Sequence, residues 1–247
     1  MKHKSTALQT KGSQEDQVTE ATSRKAKTRK TKSGAPQSTE LVFILDRSGS
    51  MSGLESDTIG GFNSFLKKQK QLEGKCRITT VLFDSSVDIL HDRLDIEAVK
   101  MLTHNDYQVR GCTALLDAIG TSIKKIAKVQ KSSGSRHKVN NVIFVIITDG
   151  EENASREFTL LDINKLLTNK KKLGWEFIFL GANIDAIETA SHFGIAADRA
   201  QNFRADSDGV SANFDAINDT VECMRQFAAV PHNWNEKISS HYTQKDK

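Results

Sequence analysis

The chain has 247 residues, 37% of them hydrophobic and 27% charged, enough for one folded domain of about 200 residues with polar extensions. Its formal net charge of +4 is unevenly placed: residues 1–39 hold nine Lys or Arg against three acids, net +6, and the remainder is net −2. Three widely spaced cysteines, Cys76, Cys112 and Cys223, form neither a zinc spacing nor a disulfide framework.

A reducing, cytoplasmic setting is therefore expected. The first residues show no apolar core of a signal peptide. The longest apolar run, 142–147, is far too short to span a bilayer, so no membrane association is expected.

Residues 1–38 are rich in Lys, Ser, Thr and Gln and nearly devoid of large apolar residues. Such a segment cannot bury enough surface to offset the entropy of ordering, and it reads as a disordered basic tail. The folded domain is expected over 39–230, with a polar, loose C-terminal tail over 231–247.

Within the domain, strands and helices alternate. The continuous apolar run 41–45 reads as a strand covered on both faces. Ile59, Phe62, Phe65 and Leu66 recur at helical spacing, and that helix ends near Gly74. A second strand over 77–83 and a short third over 87–90 flank the tight turn Asp84-Ser85-Ser86, which predicts an antiparallel edge hairpin. A short helix is expected over 96–102. Leu115, Ala118, Ile119, Ile123, Ile126 and Val129 form the stripe of a longer one, with Lys124, Lys125 and Lys128 on its polar face. A strand over 141–148, a helix over 158–172, a strand over 175–180 and a helix over 184–192 follow. A short edge strand over 201–203 and a helix over 210–227 complete the pattern. This alternation predicts an α/β, doubly wound, Rossmann-like fold: a mostly parallel sheet with helices on both faces.

Two of the apolar runs end at a carboxylate. The first runs into Asp46-Arg47-Ser48-Gly49-Ser50, the second into Thr148-Asp149-Gly150. Between them lies Gly111-Cys112-Thr113, a hydroxyl ahead of a helix. In open α/β sheets ligands bind beyond the carboxyl ends of strands. Taken singly, Asp46 reads as a turn residue, Ser48 and Ser50 as turn hydroxyls, Thr113 as a helix cap and Asp149 as a loop opening. Together they supply two carboxylates and three hydroxyls, hard oxygen ligands suited to Mg²⁺, with Mn²⁺ or Ca²⁺ as alternatives, and unsuited to zinc.

This Asp-x-Ser-x-Ser run, with a distant Thr and a later Asp, resembles the metal-ion-dependent adhesion site of von Willebrand factor A domains. The resemblance covers roughly 39–229. It implies strand order 3-2-1-4-5-6 and a metal held by Asp46, Ser48, Ser50, Thr113 and Asp149. It also implies a non-enzymatic adaptor that docks an Asp or Glu of a partner protein onto the ion. Gly181-Ala182-Asn183-Ile184-Asp185-Ala186 resembles the small stand-alone bacterial or phage members, with Asn183 expected to cap the next helix. Glu151, Glu152 and Asn153 read as a solvated acidic loop or, alternatively, as a rim that raises local cation concentration or selects a basic partner.

Two other functions compete. A metal-dependent phosphatase or other hydrolase would want an acid/base Asp two residues after Asp46, where Ser48 stands. The run 24–32, with six Lys or Arg and no aromatic residue, would support weak, salt-sensitive nucleic-acid contact.

Overall fold

The computed structural model describes residues 38–134, 139 and 141–244. The basic tail and its run 24–32 lie outside the described residues. The strands are β1 (Ser38–Asp46), β2 (Lys75–Phe83), β3 (Val87–Asp95), β4 (Asn141–Thr148), β5 (Glu176–Gly181) and β6 (Ala200–Asn202). The helices are α1 (Glu55–Lys70), α2 (Leu115–Ser132), α3 (Leu160–Lys171), α4 (Ala186–Phe193), α5 (Ser207–Phe227) and α6 (Glu236–Gln244). The sheet order among the described residues is β3-β2-β1-β4-β5-β6. All pairs are parallel except β2 with β3, as the hairpin signal at Asp84-Ser85-Ser86 requires.

Alternate residues of the central strands feed two cores, because successive side chains point to opposite faces. Leu41, Phe43 and Leu45 of β1 join Phe62, Phe65, Phe214, Ile217 and Val221 from α1 and α5. Val42 and Ile44 join Ile119, Ile123, Ile163 and Leu167 from α2 and α3. Helices therefore cover both faces; β1 from Thr39 onward and β4 throughout are buried, and 41–45 and 142–147 read as unbroken apolar runs. None of the helices among the described residues is long and apolar enough to cross a membrane.

Local chemistry sets the helix ends. Glu55 and Asp57 open α1 and Lys67, Lys68 and Lys70 close it, each sign matching the helix dipole. Thr159 and Asp162 form a capping box on α3. Gly194, at φ 85°, closes α4 in the left-handed conformation.

Four local expectations are corrected. The segment 96–102 is not a helix beyond the single 3₁₀ turn Ile96–Ala98. Instead Asn63 brackets Leu102, donating to its carbonyl at 2.9 Å and accepting from its amide at 2.7 Å. The third strand continues past residue 90 to Asp95, held by Arg93, which binds the fully buried Glu40 carboxylate through Nε and the guanidinium fork. Asn183 is not the cap of α4; Asp185 is, accepting from the amides of Ile187 and Glu188, while Asn183 takes a positive φ of 56°.

The fourth correction concerns 231–247. Its described part, 231–244, is not a loose tail: α6 packs on α5 and β6. Trp234 and Ile238 are buried, and the Trp234 indole donates to the Asp198 carbonyl at 2.8 Å. Two apolar residues in an otherwise polar stretch suffice to dock a short amphipathic helix, a weaker pattern than the stripes of the longer helices.

Candidate metal centre

β1 and β4 are direct neighbours, paired from Thr39 with Asn141 to Leu45 with Ile147. Asp46 and Asp149 thus emerge side by side at the carboxyl end of the sheet. Asp46 accepts from the Ser48 amide at 2.7 Å and from the Thr148 hydroxyl at 2.5 Å. The hydroxyls of Ser48 and Ser50 lie 3.0 Å apart, and Ser50 donates to Asp149 Oδ1 at 2.6 Å. Thr113 closes the set. A Cβ placed on Gly150 would stand 3.1 Å from the Ser50 hydroxyl and 3.5 Å from that of Thr113. Ser50 and Thr113 thus face the position that the missing side chain of Gly150 leaves open, and Ser50 links that position to Ser48 and Asp149.

Two backbone connections hold the loops in register. The Gly49 amide donates to the Gly111 carbonyl at 3.1 Å, and the Arg110 amide to the Arg47 carbonyl at 2.9 Å. Gly111 itself, at φ 69°, sits where a Cβ would meet the Ser85 hydroxyl at 2.7 Å. An ionic cluster, buried at Asp84 and Arg47 and exposed at Arg110 and Asp88, reinforces the same junction. Asp84, from the β2–β3 turn, takes Nε of Arg47 and Nε of Arg110, each at 2.9 Å, and Arg47 also binds Asp88.

The electrostatics are those of a crowded acid site. Burial pushes Asp46 up to about 6, against hydrogen bonds from Thr148 and Ser48 that favour its charged form. Burial also raises Asp149, opposed by the Ser50 hydroxyl. Asp149 is 1% exposed, and its Oδ2 is buried with no hydrogen-bond partner. An unpaired buried carboxylate oxygen carries a desolvation penalty of a few kcal/mol unless something positive meets it. That orphaned oxygen, the open space at Gly150 and the all-oxygen donor set fit a small hard cation. No group of three or more His, Cys, Asp or Glu suited to a metal occurs among the described residues, so such an ion would draw on hydroxyls and water for its remaining ligands.

The family model of the von Willebrand factor type A domain matches residues 40–217. The chain belongs to that family. No curated protein matches this type A domain by sequence. Among solved structures, the vWF domain of the type V pili tip protein Mfa5 from Porphyromonas gingivalis is similar, with TM-score 0.57 and 13% identity over 80% of this chain and 99% of that one. A mutant of the PilB minor pilin from Streptococcus sanguinis gives TM-score 0.56 and 10% identity, over 81% of this chain and 64% of that one. A von Willebrand factor type A protein from Catenulispora acidiphila gives 0.51 and 14%, over 76% and 43%. The chain thus spans about two thirds of the pilin and less than half of the last. At these identities the likeness is one of fold.

Several residues of this type A domain's site were missed in the sequence. Thr148 and Tyr107 steady Asp46, the first at its side chain and the second by donating from its phenol to the Asp46 carbonyl. Thr148 was visible as the residue before Asp149; Tyr107, distant in sequence, gave no signal. Glu152 and Asn153 are not a solvated acidic loop. Glu152 accepts from the Leu116 amide at 2.9 Å, and Asn153 exchanges hydrogen bonds with the backbone of Thr113 at 2.8 and 3.0 Å. They fasten the loop after β4 to the start of α2. Asp117, from α2, accepts the amides of Arg156, Glu157 and Phe158 and completes the same tie.

Proposed function

We propose that this type A domain is a non-enzymatic, metal-dependent protein-binding module. Asp46, Ser48, Ser50, Thr113 and Asp149 would hold one divalent cation, Mg²⁺ first and Mn²⁺ or Ca²⁺ as substitutes. When bound, the ion supplies a positive centre with an exchangeable position for an Asp or Glu carboxylate of a partner. The observation that carries the reading is the buried, unpartnered Oδ2 of Asp149 beside the linked hydroxyls of Ser48 and Ser50.

The chain's own residues prepare the site. Thr148 and the Ser48 amide keep Asp46 oriented, and Ser50 is aligned by Asp149. The Arg47–Asp84–Arg110 cluster keeps the Asp46 loop against the Thr113 loop. The hydrolase alternative gains no support, because no acid/base carboxylate joins Asp46 on its turn. A reducing compartment fits the three free thiols, of which Cys112 is exposed, and a bacterial or phage host stays part of the reading.

The test is affinity capture from native lysate with wild type and a Ser48→Ala/Ser50→Ala variant, in Mg²⁺ or in chelator. A partner retained only by wild type in Mg²⁺ supports the reading. A partner retained equally by both proteins in chelator overturns it.

A further inference from the structure

A second surface lies at the other end of the sheet. α2 and α3 each return antiparallel to the strands, so their last turns meet where β5 begins, opposite the carboxyl ends that carry Asp46 and Asp149. Between them runs a groove of about 710 Å³. Its floor is apolar, made by Ala127, Leu166 and Trp175, with Leu173 at its edge 70% exposed. Its walls are cationic: Lys124, Lys128 and Lys131 from α2 and Lys170 from α3.

These lysines are not ordinary paired surface charges. Lys68, Lys125 and Lys237 each meet an aspartate. Among the described residues the four around the groove make no ion pair and no acid lines it; the one nearby acid is Asp162 in the first turn of α3, whose charge Lys124 feels. Two are held over rings: the Lys124 ammonium stands 4.2 Å from the Phe158 centroid and that of Lys170 5.2 Å from the Trp175 centroid. Cations in the last turns of helices complement the dipole, which accounts for Lys131 and Lys170. Lys124, in mid-helix, is placed by the Phe158 ring and the charge of Asp162; Lys128 has no such local reason.

We infer that this groove is a second docking surface, for an acidic peptide segment carrying aliphatic or aromatic anchors. The charge selects an acidic occupant, and the apolar floor requires side chains that a phosphate backbone does not offer. The surface is concave, whereas an adsorbed membrane needs an apolar face that projects. The chain's own basic run 24–32 is excluded by like charge. The domain would then bridge two partners, one through the ion and one through the groove, and the second contact would not depend on a metal.

The experiment uses the full chain and three fluorescein-labelled peptides: one of Glu with interspersed Leu and Phe, one with Ser in place of Leu and Phe, and one with Lys in place of Glu. Anisotropy is expected to show the first binding at least about tenfold tighter than the other two, equally in Mg²⁺ and in chelator. The basic run 24–32 would bind both acidic peptides alike, so the apolar requirement separates groove from tail. Lys128→Glu and, separately, Leu173→Ser should each weaken binding several-fold while Lys67→Glu on α1 does not. Amide shifts should map to the last turns of α2 and α3. Equal binding of the two acidic peptides would overturn the inference, as would binding weaker than millimolar or indifference to both groove variants. Tighter lysine-dependent binding of phosphatidylserine vesicles or of a single-stranded oligonucleotide would also overturn it. Chelator sensitivity would transfer the binding to the metal site.

Discussion

Replacing Asp46 by Asn separates the cost of the site from its use. Without an ion, Asp46 is a buried carboxyl whose folded value of about 6 stands above the unfolded value of 3.8. A raised acid contributes stability that is full below the unfolded value and is lost as pH rises through the folded value. The ion-free protein should therefore lose stability between about pH 4 and 6 and stay at the lower level above. Two units correspond to about 3 kcal/mol. Asn carries no charge and escapes that loss, but it cannot accept both the Ser48 amide and the Thr148 hydroxyl as well as Asp does, a deficit of about 1 kcal/mol. In chelator at pH 7.5 the variant should be the more stable protein by about 1–2 kcal/mol, or roughly 2–8 °C in Tm for a domain of this size. At pH 4 the advantage should vanish or reverse. Saturating Mg²⁺ should raise wild type by about 3 kcal/mol at a hundredfold excess over Kd and leave the variant where it was. Thermal unfolding by circular dichroism, in chelator and in Mg²⁺ at both pH values, measures all four states. A variant less stable than wild type in chelator at pH 7.5 would refute the reasoning.

Three further outcomes follow from the geometry. Asp84 is buried, which alone would raise it, but hydrogen bonds from Arg110 and Ser86 and the charge of Arg47 hold it below the ordinary carboxylate value. It stabilises above about pH 4 and ceases to do so as pH falls through its lowered value. Asp84→Asn should thus lower the urea midpoint at pH 7, have less effect at pH 3, and weaken Mg²⁺ binding by loosening the Thr113 loop. Gly150→Ala would put a methyl 3.1 Å from the Ser50 hydroxyl and should weaken ion affinity about tenfold, roughly 1.4 kcal/mol, with little change in the Tm of the ion-free protein. Trp234→Ala should destabilise the domain by about 3 kcal/mol, read by urea unfolding; an unchanged midpoint would return 231–247 to the status of a tail.

The sheet was legible because β1, β4 and β5 are covered on both faces and carry unbroken apolar runs, while Asp84-Ser85-Ser86 announces the one reversal. The order of strands came from the family resemblance rather than from any residue. At the site, the nearness of Asp46, Ser48 and Ser50 to Asp149 followed once β1 and β4 were neighbours; Thr113 reaches them from the loop before α2. The supports around them did not follow. Tyr107, Asn153, Asp84 and Asp117 act through loop contacts between residues 26 to 61 positions apart, and a turn residue looks the same in sequence whether it faces water or holds a neighbouring loop. α6 was missed because its buried apolar residues are only Trp234 and Ile238, too few to set a helical period, and the rest of its docking is polar, through Asn235 and Ser239 to Gln201 and Lys237 to Asp219.

The most direct measurement is calorimetric titration of Mg²⁺ and Mn²⁺ into the metal-stripped full chain and into Asp149→Ala. The account predicts one ion per chain for wild type and none for the variant, with both proteins folded. Absence of binding to the folded wild type, or equal binding by the variant, would contradict it.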